Sequence, residues 1–311
     1  MSASPHQTHS LLHQARSGVV YGLAAYLFWG FVPIYFKAVS HVPPLEVLAH
    51  RILWSWALLS MFMVANHRWR VLKPILTHRR TRISLLCSTL LVTSNWFVFI
   101  WAVDHDQVLQ ASLGYFINPL VNVLLGFVFL RERLRPVQRA SVILAAGGVL
   151  YLGLSYGQAP WIALALAFTF GLYGLIRKTV KADALGGLTV ETMLMTPLAL
   201  AYLFHLRENG RLVFLHLNHP TDLLLVASGM TTALPLWWFA KAARRLRYAT
   251  VGFLQYIAPS LQFVLAVLVY GELFSQAHVA SFICIWTALA LYSFDTWRAT
   301  RSPQDQPGAI Q

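Results

Sequence analysis

Apolar residues in this chain run in long blocks, each close to the 20 or so residues a helix needs to cross the hydrocarbon core of a bilayer. Ten blocks follow one another, at residues 18–39, 45–65, 83–103, 108–130, 137–155, 160–178, 188–205, 222–241, 248–270 and 277–297. The polar segments between them are short. The longest, Asn66–Arg82 and Leu206–Thr221, leave no room for a soluble domain. Backbone groups in hydrocarbon must be satisfied within the segment itself, so the blocks predict helices. The expected fold is therefore all-α and integral to the membrane, with ten transmembrane helices.

The fourth block, LQASLGYFINPLVNVLLGFVFLRE from Leu109 to Glu132, is not uniformly apolar. Pro119 sits mid-span, and Tyr115, Asn118 and Asn122 recur at i, i+3 and i+7, which places three polar side chains on one helical face. About 140 residues later the chain reads TVGFLQYIAPSLQFVLAVLVYGE, from Thr250 to Glu272. Ile117 then aligns with Ile257, Pro119 with Pro259, Leu125 with Leu265 and Glu132 with Glu272. The polar face recurs as Gln255 and Gln262, with Tyr256 beside them. Blocks one and six share Leu23/Leu164, Ala24/Ala165, Gly30/Gly171, Lys37/Lys178 and Val39/Val180. Blocks five and ten share Ala140/Ala280, Ser141/Ser281 and Ile143/Ile283. Five spans per half is an odd number, so the second half enters the membrane from the opposite side. The predicted organisation is a 5+5 inverted repeat: a tail at 1–17, one five-helix unit at 18–155, a second at 156–297, and a tail at 298–311. Inverted repeats of this kind mark secondary transporters, whose substrate site lies near the midplane between the halves.

Composition sharpens the class. The chain is 57% hydrophobic and 11% charged, against roughly 25% charged in soluble domains. Its net charge of +13 comes from basic clusters between spans rather than from one stripe, which argues against nucleic acid and for the positive-inside rule. Most Lys and Arg fall in the even-numbered gaps and the tails, so both termini are expected in the cytoplasm. The two cysteines, Cys87 and Cys284, lie inside spans and have no metal-type spacing. The polar start, Met1–Ser17, lacks the short apolar core of a signal peptide, so the first span is expected to be retained.

A few span residues carry potential chemistry. In EVLAHRILWS, Glu46 and His50 share a face with Arg51 next to it, and Lys37 ends the facing span. These residues either snorkel to headgroups with a Glu46–Arg51 or Glu46–Lys37 pair, or line the outer half of a water-filled cavity. Thr93, Ser94, Asn95 and Trp96 form a polar patch at the head of an aromatic run, which anchors the span at the interface or walls a site. Glu191 is either a coupling carboxylate or a helix-end one. Pro119 and Pro259 either break helices that line the site or kink them statically. Phosphate loops and metalloprotease or nucleophile-elbow motifs are absent, so no cofactor, metal or ATPase subunit is expected.

The motifs YGLAAYLFWGFVPIYFK, HRILWS, NWFVFIWAV, LQASLGYFINPLVN, YGLIRK, ETMLMTPLA, AARRLRYATVGFLQYIAPSLQF and LAVLVYGE together resemble the drug/metabolite transporter superfamily with two EamA-type halves. Within it, the chain is similar to the RarD-type, chloramphenicol-sensitivity permeases. The resemblance implies an inner-membrane permease for small organic metabolites or drugs, chloramphenicol-like compounds among them; with the inverted repeat, the expectation is a carrier working by alternating access, with export the favoured direction. It also implies that spans 1–4 and 6–9 surround the central cavity. Smaller relatives couple to protons through a first-span glutamate, and this first span has no carboxylate. A membrane-embedded enzyme acting on an apolar or lipid-linked substrate is the alternative, and the scattered acids argue against it. The sequence leaves open the substrate, the direction of transport, the coupling ion and the choice between monomer and homodimer.

Overall fold

The computed structural model describes residues 5–130, 134–156, 160–245 and 254–301. Glu132 and Thr250 of the repeated stretches lie outside the described residues. Among the described residues the chain is helical and contains no strand. The helices are α1 (Pro5–Ala38), α2 (Pro44–Ala65), the short α3 (Leu72–Thr77), α4 (Arg79–Asp104), α5 (Val108–Leu130), α6 (Pro136–Tyr156), α7 (Trp161–Thr179), α8 (Ala184–Glu208) and α9 (His219–Arg245). They are followed by α10 (Ile257–Val264), which widens into a π-helical turn at Leu265–Val269, and by α11 (Gln276–Arg301).

Eight of these helices are long and apolar enough to cross a membrane, and two shorter apolar helices span Trp161–Arg177 and Ile257–Val269. Leu268, Leu154 and Ile143 are 77%, 73% and 72% exposed. A water-soluble protein rarely leaves so many large aliphatics uncovered, whereas lipid is their natural solvent. The structure is that of a multi-pass membrane protein.

Local sequence explains several boundaries. Pro44 opens α2 at the position where a missing N–H costs nothing. Asp183 caps α8 by accepting from the Gly186 N–H at 3.2 Å. At α5 the cap comes from elsewhere in the chain: Glu272 accepts the N–H groups of Val108 and Leu109, both at 2.8 Å. These are the orphan donors of a helix start, and the carboxylate also meets the positive end of the α5 dipole. Glu272 thus belongs to the α5 cap. Burial pushes its carboxyl above the usual value of 4.5, against the pull of the two N–H groups. Helix α1 also differs from expectation, since it starts at Pro5 and runs through the polar segment.

Helices pack as α1 with α9 and α10, α2 with α8 and α9, α4 with α7 and α8, α5 with α7 and α10, and α6 with α11. Small residues set the closest crossings. A Cβ on Gly229 would lie 2.5 Å from the Trp54 carbonyl carbon, so α9 meets α2 backbone to backbone there. At the α6–α11 crossing Gly148 is the contact, where an added Cβ would lie 2.8 Å from the Cys284 Cβ, while its neighbour Gly147 faces open space.

Candidate functional site

Helices α1, α2, α4, α5, α7, α9 and α10 enclose a cavity of about 670 Å³, its mouth included. The space open to the centre of a water molecule is only about 70 Å³, room for roughly five waters. In this conformation the site is narrow. Its wall brings together Arg51, Asn95, Trp96, Tyr115, Gln255 and Gln262, all expected from sequence, with Pro259 beside them. The remaining lining is largely apolar and aromatic: Tyr26, Trp29 and Val32 from α1, Phe99, Phe170, Leu236 and Ala258. Of these, Phe99 belongs to the aromatic run that follows Asn95 in sequence, and the sequence reading missed the others. Tyr26 and Trp29 stand at i, i+3 on the first span, a spacing that could have revealed one aromatic face.

Arg51 is 6% exposed. Its Nε donates to the Thr232 hydroxyl at 2.6 Å, and its guanidinium lies 4.5 Å from the Trp96 ring centroid and 5.3 Å from that of Phe36. No carboxylate among the described residues pairs with it, in contrast to the expected Glu46–Arg51 pair. Glu46 Oε1 instead accepts the N–H groups of Val213 and Phe214 at 2.9 and 3.1 Å, which ties α2 to the loop between α8 and α9. His50 sits 4.0 Å from Glu46, accepts from the Trp54 indole at 3.2 Å and packs against Phe214. Lys37 does not pair with Glu46 either. It forms an ion pair with Asp106 in the α4–α5 turn and lies 5.6 Å above the Tyr270 ring. Neither His50 nor Lys37 lines the cavity.

Two of the predicted polar residues stand one layer behind the wall. Asn118, fully buried, donates to the Ala167 carbonyl at 2.9 Å and accepts from Gln255 at 2.9 Å and from Asn122 at 3.1 Å. Tyr256 is partly buried and packs against the apolar core, off the cavity wall. Pro119 lies inside α5, which continues past it, and Pro259 falls in the first turn of α10, where no intrahelical donor is lost.

Glu191 is 1% exposed and lies near the start of α8. It receives the Ser88 hydroxyl of α4 at 2.6 Å and the Tyr173 hydroxyl of α7 at 3.4 Å, with Arg177 at 3.7 Å. It joins three helices and stays off the cavity wall. Among the described residues no cluster of His, Cys, Asp and Glu could hold a metal ion.

The sequence profile of the EamA-like transporter family matches residues 16–154. A Vibrio cholerae protein named "Uncharacterized transporter" is 46% identical, with 92% of this chain and 94% of that protein aligned. Protein RarD of Escherichia coli K12 is 44% identical, over 91% of this chain and 95% of its own length. A solved crystal structure superposes with a TM-score of 0.59 at 20% identity, covering 91% of this chain and 99% of that one.

Proposed function

The chain belongs to the EamA-like transporter family, in its RarD branch, and from that premise we propose that it is a secondary permease carrying small organic anions or zwitterions across the inner membrane by alternating access. The observation that carries the reading is Arg51. A buried guanidinium facing a cavity, with ring faces and one hydroxyl but no carboxylate, is poised for a carboxylate or comparable anion from outside the protein. The aromatic wall suits an apolar or aromatic body on the same molecule.

The proposed frame is a ten-helix 5+5 inverted repeat with both termini in the cytoplasm. Helix packing supports it. Exchanging α1 with α7, α2 with α8, α4 with α9, α5 with α10 and α6 with α11 turns the α5–α7 pairing into α10–α1. The same exchange turns α1–α9 into α7–α4 and α2–α9 into α8–α4. Residues follow the same exchange: Gly30 of α1 abuts Leu261 of α10, and Gly171 of α7 abuts Val121 of α5. In this frame Glu46 and Glu191 close opposite ends of the permease. They tie helices that must separate when the corresponding side opens, and either could couple that opening to a proton. Export is the proposed direction, with chloramphenicol-like compounds among the candidates. A membrane-embedded enzyme is disfavoured because neither carboxylate reaches the cavity.

Flux in proteoliposomes tests this directly, with a panel of organic acids, amino acids and chloramphenicol in the wild type, Arg51→Ala and Asn122→Ala. Arg51→Ala should lose anion flux, and Asn122→Ala should lower it through Asn118. Full activity of Arg51→Ala on every transported anion would overturn the assignment.

A further inference from the structure

The three cavity amides are oriented, and the orientation can be read from backbone carbonyls. A carbonyl oxygen has no proton, so only the NH2 edge of an amide can face it at hydrogen-bond distance. Asn95 turns that edge to the Leu166 carbonyl at 3.0 Å and to the Thr169 hydroxyl at 2.9 Å. Gln262 turns it to the Trp29 carbonyl at 3.0 Å. Asn118 turns it to the Ala167 carbonyl, so its own oxygen points the other way and must be met by the NH2 edge of Gln255. Each of the three wall amides therefore commits at least one N–H to the protein, and the oxygens are the edges left to account for. The Asn95 oxygen already accepts from the Tyr115 hydroxyl at 3.3 Å. The Gln262 oxygen is buried and has no hydrogen-bond partner among the described residues. An unmet buried carbonyl carries a desolvation cost that an incoming N–H or O–H recovers.

We propose that Gln255 and Gln262 serve as hydrogen-bond acceptors for the transported molecule, so that the site selects anions that also carry an N–H or O–H donor. This rests on the reading of the Arg51 cavity as the substrate site, and adds to it. Among the described residues Arg51 supplies the only cation on the cavity wall, and the amides supply acceptors from the 255–262 stretch. A ligand bearing only acceptors would satisfy Arg51 and leave the Gln262 oxygen stranded. Asn118 has no need to touch the ligand, since it acts as the relay that holds the Gln255 amide in this sense.

The test is ligand titration of the purified protein in nanodiscs, followed by tryptophan fluorescence because Trp29 and Trp96 line the cavity. The probes are 3-phenylpropionate, 2-methoxy-3-phenylpropionate, 3-phenyllactate and phenylalanine, which share a carboxylate and a ring and differ in donors. The donor-bearing pair should bind about tenfold more tightly than the donorless pair, the scale of one or two hydrogen bonds. In Gln262→Met and in Gln255→Met that ratio should fall, and in the double variant it should come within about twofold. Equal affinity of all four acids in the wild type, or an unchanged ratio in the double variant, overturns the proposal and leaves Arg51 as the anion site. If 3-phenylpropanol competes as well as the acids do, the anion reading fails instead. Absence of binding by every probe overturns both.

Discussion

Replacing Arg51 by Met separates what the guanidinium does for folding from what it does for transport. Met fills a similar stem volume without charge. The substitution forfeits the bond from Nε to Thr232, about 1.5–3 kcal/mol for a charged donor. It also forfeits cation–π contacts with Trp96 and Phe36, about 1–2 kcal/mol together. Against this stands the dehydration of a charge held at 6% exposure, about 3–5 kcal/mol that the variant no longer bears. Thr232 keeps its own bond to the Ser228 carbonyl at 3.1 Å, so no new orphan appears. The terms cancel to within about 2 kcal/mol, so unfolding in detergent should shift by only a few degrees, at roughly 2–4 °C per kcal/mol. Flux should respond differently. A bidentate charged contact with a substrate anion contributes about 3–5 kcal/mol, so kcat/KM should fall by about 10²–10⁴. The assay pairs thermal unfolding followed by tryptophan fluorescence with anion counterflow in proteoliposomes. Loss of more than about 4 kcal/mol of stability would mean that the guanidinium has a partner in the fold. Anion flux within fivefold of wild type would mean that it has none in the substrate.

Three further outcomes are expected. Gly229→Leu drives a side chain into the Trp54 backbone and should destabilise the α2–α9 crossing by about 1–3 kcal/mol or more, visible as loss of a monodisperse peak in size-exclusion chromatography, whereas Gly147→Leu should be tolerated. Glu46→Ala strands the Val213 and Phe214 N–H groups, so limited trypsin digestion should cut faster after Arg211 than in the wild type; equal cleavage rates would show that the loop is held by other contacts. For Glu272 the folded carboxyl holds its proton more tightly than the unfolded one, so its contribution is fully present below the unfolded pKa and is lost as pH rises through the folded value. The melting temperature of the wild type should therefore decline from pH 4.5 towards 7 relative to Glu272→Gln, and parallel curves would refute the assignment.

The charged residues of α2 show where reading by spacing succeeds and where it stops. Glu46 and His50 are four apart, nearly one helical turn, and they do approach to 4.0 Å. Glu46 and Arg51 are five apart, about 140° around the helix axis, so they point to different neighbours. Glu46 meets the 209–218 loop and Arg51 meets α9 and the cavity. Which neighbours stand there is a matter of helix crossing, to which Gly229 contributes as much as either charged residue. The same holds for Glu272. Its alignment with Glu132 was legible in the repeat, but its role in capping α5 needed two chain segments brought together in space.

What the sequence by itself determined is what depends on local length and polarity. Twenty apolar residues must become a helix in lipid, and repeated Pro, Asn and Gln positions in the fourth and ninth blocks mark corresponding faces whatever surrounds them. Asn95, Trp96, Tyr115, Gln255 and Gln262 could be named on that basis. Tertiary structure alone decided that Asn118 stands behind Gln255, that Gln262 keeps its oxygen buried without a partner among the described residues, and that Arg51 has aromatic rings for company instead of a carboxylate. Those outcomes follow from the rotation of each helix about its axis and from which backbone carbonyls it meets, quantities that no single span encodes.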